Sequence, residues 1–184
     1  MPGKLRDGER TRKRILAAAQ EVFSTHGYAQ AGVRDITALA GVNAALVNRY
    51  FGSKEQLFEA ALSELLKPES VEVPLDERFG QAIVARFAAA SDQANPLRMM
   101  MLAMADAGAR AVVDRLLRER FIEPLGAWLG EPHGLERAAQ LAALAAGLSV
   151  YRSLYPLDPM QGEFTPGTRE WLERAFQSII VPPG

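Results

Sequence analysis

The 184-residue chain is 48% hydrophobic and 23% charged, the balance of an ordinary globular protein with room for one compact domain and a smaller second one. Its longest apolar-rich stretch, Ala138–Val150, is short and interrupted by Gln140 and Gly147, which argues against a membrane span. The early Lys4, Arg6 and Arg10 have no apolar run behind them before Ile15, which argues against a secretory signal. With no cysteine, disulfides and thiolate metal sites are excluded, and a reducing cytoplasm is the expected compartment. The net charge of −1 is unevenly spread. Residues 1–54 hold nine Lys/Arg against four Asp/Glu, or +5, and residues 55–184 hold twelve against eighteen, or −6. A basic head on an acidic body suits a polyanion met at one end, although a solvated basic tail gives the same count.

In chain order, the first helix is expected to begin between Asp7 and Thr11, with Ile15, Leu16, Ala19, Val22 and Phe23 along one face and Gly27 stopping it. A short helix over Val33–Ala40 follows, with Ile36 and Leu39 expected inside. Gly41-Val42-Asn43 then makes a tight turn, with Asn43 capping a third helix that runs to about Tyr50 and is cut off by Gly52. Ser53-Lys54-Glu55-Gln56 is a capping box opening a fourth helix, which Pro68 ends, and Glu69–Pro74 reads as a hinge. Phe79, Ile83, Phe87 and Ala90 form the stripe of a fifth helix. Asn95-Pro96 starts a helix carrying Met99–Met104. Another runs from about Asp106 towards Trp128, with a kink or break expected near Pro124. An alanine-rich helix covers Leu135–Tyr155 and ends at Pro156, and Thr165-Pro166 starts the last one. No alternating strand pattern and no internal repeat is present. The chain is predicted all-α with about nine helices.

Two short helices joined by a glycine turn, the second capped and polar on one side, describe a helix-turn-helix. Such a motif needs a recognition helix whose inner face packs on a small core while its outer face enters the major groove. Val42, Val47 and Phe51 suit the inner face; Asn43, Ala44, Ala45, Asn48 and Arg49 form the outer one, small residues permitting close approach and Asn and Arg able to bond bases or phosphates. An ordinary helical hairpin satisfies the same pattern, so the spacing alone leaves both readings open.

The run Thr11-Arg-Lys-Arg-Ile-Leu-Ala-Ala-Ala, with Phe23, Gly27-Tyr28, Val33-Arg34-Asp35-Ile36, Ala40-Gly41-Val42 and Phe51-Gly52-Ser53-Lys54-Glu55-Gln56-Leu57-Phe58, resembles the N-terminal domain of the TetR/AcrR family of bacterial repressors over about Arg10–Ala61. Asn95-Pro96-Leu97-Arg98-Met99 and the alanine-rich penultimate helix resemble an actinobacterial-type C-terminal subgroup of that family. The resemblance implies a three-helix DNA-binding head, residues 1–54, and a helical effector-binding and dimerisation body, residues 55–184. It implies DNA contacts at Arg34 and, through a backbone phosphate at a helix N-terminus, at Lys54. Two departures stand out. Ala31-Gly32 replaces the usual Thr-Ser ahead of the second helix, losing a cap and a phosphate-binding hydroxyl. Val47-Asn48-Arg49-Tyr50-Phe51 replaces Leu-Tyr-x-His-Phe, so Asn48 cannot inherit a tyrosine's phosphate contact and is free to read an adenine, while Tyr50 keeps a hydroxyl for phosphate.

For the body, Met100, Met101 and Met104, with Phe87, Trp128 and Tyr151, are candidate walls of an apolar effector pocket, because flexible thioethers suit an adaptable cavity. Filling an irregular core is the competing role for the methionines. The last two helices are the expected interface of a homodimer, through Ala143, Leu144, Gly147, Leu148, Trp171, Leu172, Phe176 and Ile179; closing the subunit's own core is the competing role for that face. Catalysis finds no support: His26 and His133 lack sequence-local nucleophile partners, and no phosphate loop, metal spacing or cofactor motif occurs. The expected function is a repressor that an effector releases from a palindromic operator. A helical enzyme or carrier and an activator or nucleoid-type protein are the rivals.

Overall fold

The computed structural model describes residues 2–66, 76–89 and 95–180, with side chains from Asp7 onward. Every regular element among them is helical: α1 Pro2–Gln30, α2 Val33–Ala40, α3 Ala45–Phe51, α4 Lys54–Leu65, α5 Phe79–Ala89, α6 Pro96–Ala103, α7 Ala107–Leu117, α8 Glu123–Leu129, α9 Gly134–Ser149 and α10 Pro166–Ile180. Between α7 and α8 the backbone stays helical through a π-turn, Arg118–Ile122, so these two are one continuous helix and the described residues hold nine. The irregularity foreseen near Pro124 is thus absorbed just ahead of the proline, where its missing N–H and its ring disturb the preceding turn. The Glu69–Pro74 hinge and Ala90 lie outside the described residues.

The chain divides into two compact units, Met1–Lys67 with Gln93–Leu116, and Pro68–Asp92 with Leu117–Gly184. In the first, α1 packs against α2, α4 and α6, and α3 packs against α4. Helix α1 starts earlier than expected, at Pro2; further along, Thr11 Oγ1 donates to the Asp7 carbonyl (2.8 Å) and Arg10 pairs with Asp7 at the surface. Gly27 interrupts it with φ +72°, a conformation glycine adopts without the Cβ penalty. Ile15, Ala19, Phe23, Ile36, Val47, Leu57, Phe58 and Leu62 are all fully buried, the larger ones each contributing about 1.5–3 kcal/mol of transfer free energy. Phe23, Tyr28 and Phe58 meet as an aromatic trio with centroids 5.2–6.0 Å apart. Leu39 departs from expectation. It is 52% exposed, because the short α2 turns Ile36, Thr37 and Ala40 inward.

Asn95 begins α6 as expected, its Oδ1 accepting from Leu97 N (3.0 Å) and Arg98 N (3.3 Å), with Pro96 at the first helical position. Met99 and Met100 are buried, whereas Met104 is 64% exposed. An ion pair, Arg115 to Glu59 at 2.8 Å, joins α7 to α4.

In the second unit, Phe79, Val84, Leu141, Leu148, Phe164, Leu172, Phe176 and Ile180 form one buried cluster. Its helices approach closely at glycines. A Cβ on Gly80 would collide with the Glu173 carbonyl oxygen, and one on Gly134 with that of Gly126, so α5 meets α10 and α8 meets α9 at backbone distance. Gln177 binds across the first crossing, accepting from Gly80 N (2.9 Å) and donating to the Asp76 carbonyl (3.0 Å).

Candidate nucleic-acid interface

The turn between α2 and α3 is built by Gly41, whose φ of +61° and ψ of 44° end α2 in a left-handed cap. Asn43 follows and its Oδ1 accepts from Ala45 N at 2.9 Å. That bond uses one of the two lone pairs of the carboxamide oxygen and fixes the side chain, leaving its amide donors free to face outward. Helix α3 buries Val47 and Phe51 and exposes Asn43, Ala44, Ala45, Asn48 and Arg49, while Val42 is half-buried. Tyr50 is half-buried, with its hydroxyl beside Gly8 of α1. Gly52, at φ +81°, stops the helix.

The missing hydroxyl cap at Gly32 is partly offset. Asp35 reaches back, its Oδ2 accepting from Gly32 N (3.2 Å), and its charge suits the first turn of a helix. Arg34, beside it, is exposed. Ser53 caps α4 as expected, Oγ accepting from Gln56 N at 3.1 Å, while its own N–H donates to the Phe51 carbonyl instead of to Gln56. Lys54 therefore stands at the first position of α4, with its ammonium 4.5 Å from the Tyr28 ring centroid. Two arginines also sit on rings, Arg12 of α1 over Phe51 at 5.0 Å and Arg49 of α3 over Tyr50 at 5.9 Å. These aromatic seats had no signature in the spacing of the sequence. Burial, with Asp106 and Glu55 nearby, raises the Tyr28 phenol above the usual tyrosine range.

The eight proposed DNA residues thus fall on one motif: Arg34 on α2, Asn43 and Ala44 in the turn, Ala45, Asn48, Arg49 and Tyr50 on α3, and Lys54 on α4. The six pocket candidates are divided. Met100 and Met101 on α6 and Met104 just past it belong to the first unit; Phe87, stacked on Phe176 at 6.0 Å, Trp128, 57% exposed, and Tyr151 belong to the second. Of the interface candidates, Leu148, Leu172 and Phe176 are spent on the unit's own core, where Leu144 and Ile179 also pack, while Ala143 and Trp171 face outward and a Cβ at Gly147 would meet open space. Among the described residues no group of three His, Asp or Glu could hold a metal ion, and no helix is long and apolar enough to cross a membrane.

A short glycine turn followed by a capped helix with one buried and one polar face is the arrangement of a helix-turn-helix protein. Residues 15–61 match "Bacterial regulatory proteins, tetR family", and residues 77–180 match "Tetracyclin repressor-like, C-terminal domain". The chain belongs to the tetR family, a family of regulators and not of enzymes. It is 38% identical over 71 residues to the HTH-type transcriptional repressor SCO4008 of Streptomyces coelicolor, a match covering 39% of this chain and 37% of that protein. It is 27% identical over 175 residues, 93% of this chain and 75% of the relative, to an uncharacterized HTH-type transcriptional regulator of Mycobacterium tuberculosis. The multidrug binding protein EbrR, solved in complex with ethidium, has the same fold with a TM-score of 0.61 at 20% identity, covering 92% of this chain and 98% of that one.

Proposed function

We propose that the chain is a homodimeric, cytoplasmic transcriptional repressor that binds a palindromic DNA operator and leaves it when a small, mainly apolar effector occupies the body. The observation that carries this reading is α3 itself. Val47 and Phe51 anchor it, and Asn43, Ala44, Ala45, Asn48 and Arg49 remain exposed together, the division of labour that insertion into a major groove requires. Asn48 and Arg49 read bases, Arg34 and Tyr50 bond the backbone or a base edge, and Lys54 binds a phosphate at the start of α4.

The functional division falls between residues 54 and 55. Helix α4 begins at that boundary and, with α6, packs on α1 or its neighbours, so the body has a lever on the head. An effector that binds better to one arrangement of these helices lowers DNA affinity by linkage. EbrR, which shares the fold and was solved with ethidium, a flat aromatic cation, supports an effector with a large apolar surface, and the repressor SCO4008 supports the sign of regulation. The face for self-association is α9 and α10, through Ala143, Gly147 and Trp171, with the half-buried Leu144 and Ile179 beside them. Selection of duplexes from a random pool tests the reading. Enrichment of an inverted repeat is expected, and failure to enrich any sequence overturns it.

A further inference from the structure

We propose that Arg14 is a positioning residue of the DNA-reading motif: it acts on sequence discrimination through the turn before α3, without touching DNA. The inference rests on the reading of α3 as the recognition helix. Helix α2 ends in carbonyls that have no partner within the helix. The turn satisfies two of them itself, Gly41 N donating to the Ala38 carbonyl (3.1 Å) and Val42 N to that of Thr37 (3.0 Å). The Ala40 and Gly41 carbonyls, three residues further along, are taken by the Arg14 guanidinium, whose Nη2 donates at 2.5 Å and 3.3 Å. A cation there also meets the negative end of the α2 dipole.

The location is what gives this bond leverage. The Gly41 carbonyl belongs to the peptide plane leading into Val42, and Asn43, the next residue, caps α3 at Ala45. Rotation of that plane would swing the start of α3, where Asn43, Ala44 and Ala45 lie. The guanidinium also fills the space beside the turn, because a Cβ on Gly41 would lie 2.8 Å from Arg14 Nη2. Two residues earlier on α1, Arg12 sits over Phe51, the last residue of α3. One helix therefore holds the stretch carrying the recognition helix from both ends. An exposed arginine on a basic head would ordinarily be assigned to phosphate; a phosphate contact predicts a different result.

The test compares wild type, Arg14→Met and Arg14→Lys on two probes, the duplex that wild type selects from a random pool and poly(dI-dC), across potassium chloride concentrations. Circular dichroism fixes a temperature at which each variant is folded. Arg14→Met is expected to lose about tenfold on the selected duplex, to bind poly(dI-dC) within about twofold of wild type, and to keep the salt slope. Arg14→Lys, with the charge but without the fork, is expected to fall between. Should Arg14→Met not fold, Arg14→Lys carries the same comparison. Equal weakening on both probes with the slope reduced by about one would make Arg14 a phosphate ligand and overturn the proposal. So would unchanged discrimination in a variant that is merely less stable. If wild type selects no duplex, the reading of α3 fails and takes this proposal with it, whereas normal selection with unchanged variants removes the role of Arg14 alone.

Discussion

Lys54 holds its ammonium over the ring of Tyr28, 4.5 Å from the centroid, and Tyr28 in turn packs edge-on against Phe58, 5.2 Å away. The cation assigned to a phosphate is therefore seated on the hydrophobic core, so part of the entropy of ordering a long side chain is spent before DNA arrives. Lys54→Ala is expected to weaken all duplexes about equally and to lower the salt slope by about one. Loss of affinity on the selected duplex alone would assign Lys54 to base reading.

Tyr28 also predicts an alkaline signature. Its phenol titrates above the ordinary value of 10.0, chiefly because burial disfavours the phenolate, with Asp106 and Glu55 adding to it. A folded-state pKa raised in this way contributes stability that is complete below the unfolded value and is lost as pH rises through the folded one. Urea midpoints of wild type should therefore fall from about pH 10 upward more steeply than those of Tyr28→Phe. Parallel curves would contradict the assignment.

The close backbone crossing of α5 on α10 in the second unit predicts a packing effect. A methyl at Gly80 would meet the Glu173 carbonyl oxygen, a rigid backbone atom, and then the Gln177 Cβ at 3.2 Å. Gly80→Ala is expected to cost about 1–3 kcal/mol as the two helices move apart. Gly167→Ala, in the first turn of α10 with nothing within 4 Å of an added Cβ, is the matched control and should be neutral or slightly stabilising. Equal effects at the two sites would refute the close crossing.

What could be read from the sequence was whatever local chemistry fixes. Gly41, Gly52, Ser53, Asn95-Pro96 and Thr165-Pro166 each punctuate the chain by a rule that needs no knowledge of distant residues, and the helices begin or end at or beside them. Facing was harder. Leu39 and Trp171 are apolar residues on the right helices yet half exposed, because each helix had enough inward residues without them, Ile36, Thr37 and Ala40 on α2 and Leu172, Phe176 and Ile180 on α10. The contacts that shape the reading motif were the least visible. Arg14 meets Ala40 across 26 residues, and Lys54 meets Tyr28, through side chains whose types are common on any basic helix.

Self-association has its own test in Ala143, which faces outward in the middle of α9. Ala143→Glu is expected to give a folded monomer by sedimentation and circular dichroism, with operator binding lost because a single head buries too little surface for a specific complex. A folded dimer with wild-type operator affinity would move the interface elsewhere.

The central claim, that α3 reads DNA sequence through its exposed face, is tested most directly by measuring how Asn48→Ala changes base preference at every position of the duplex selected by wild type. Asn48 is exposed next to the buried Val47 and can present both an acceptor and a donor. The account predicts a loss of about 1–3 kcal/mol of discrimination at one symmetry-related pair of positions, with adenine as the preferred base in wild type and the remaining preferences intact. A preference profile unchanged at every position would contradict it.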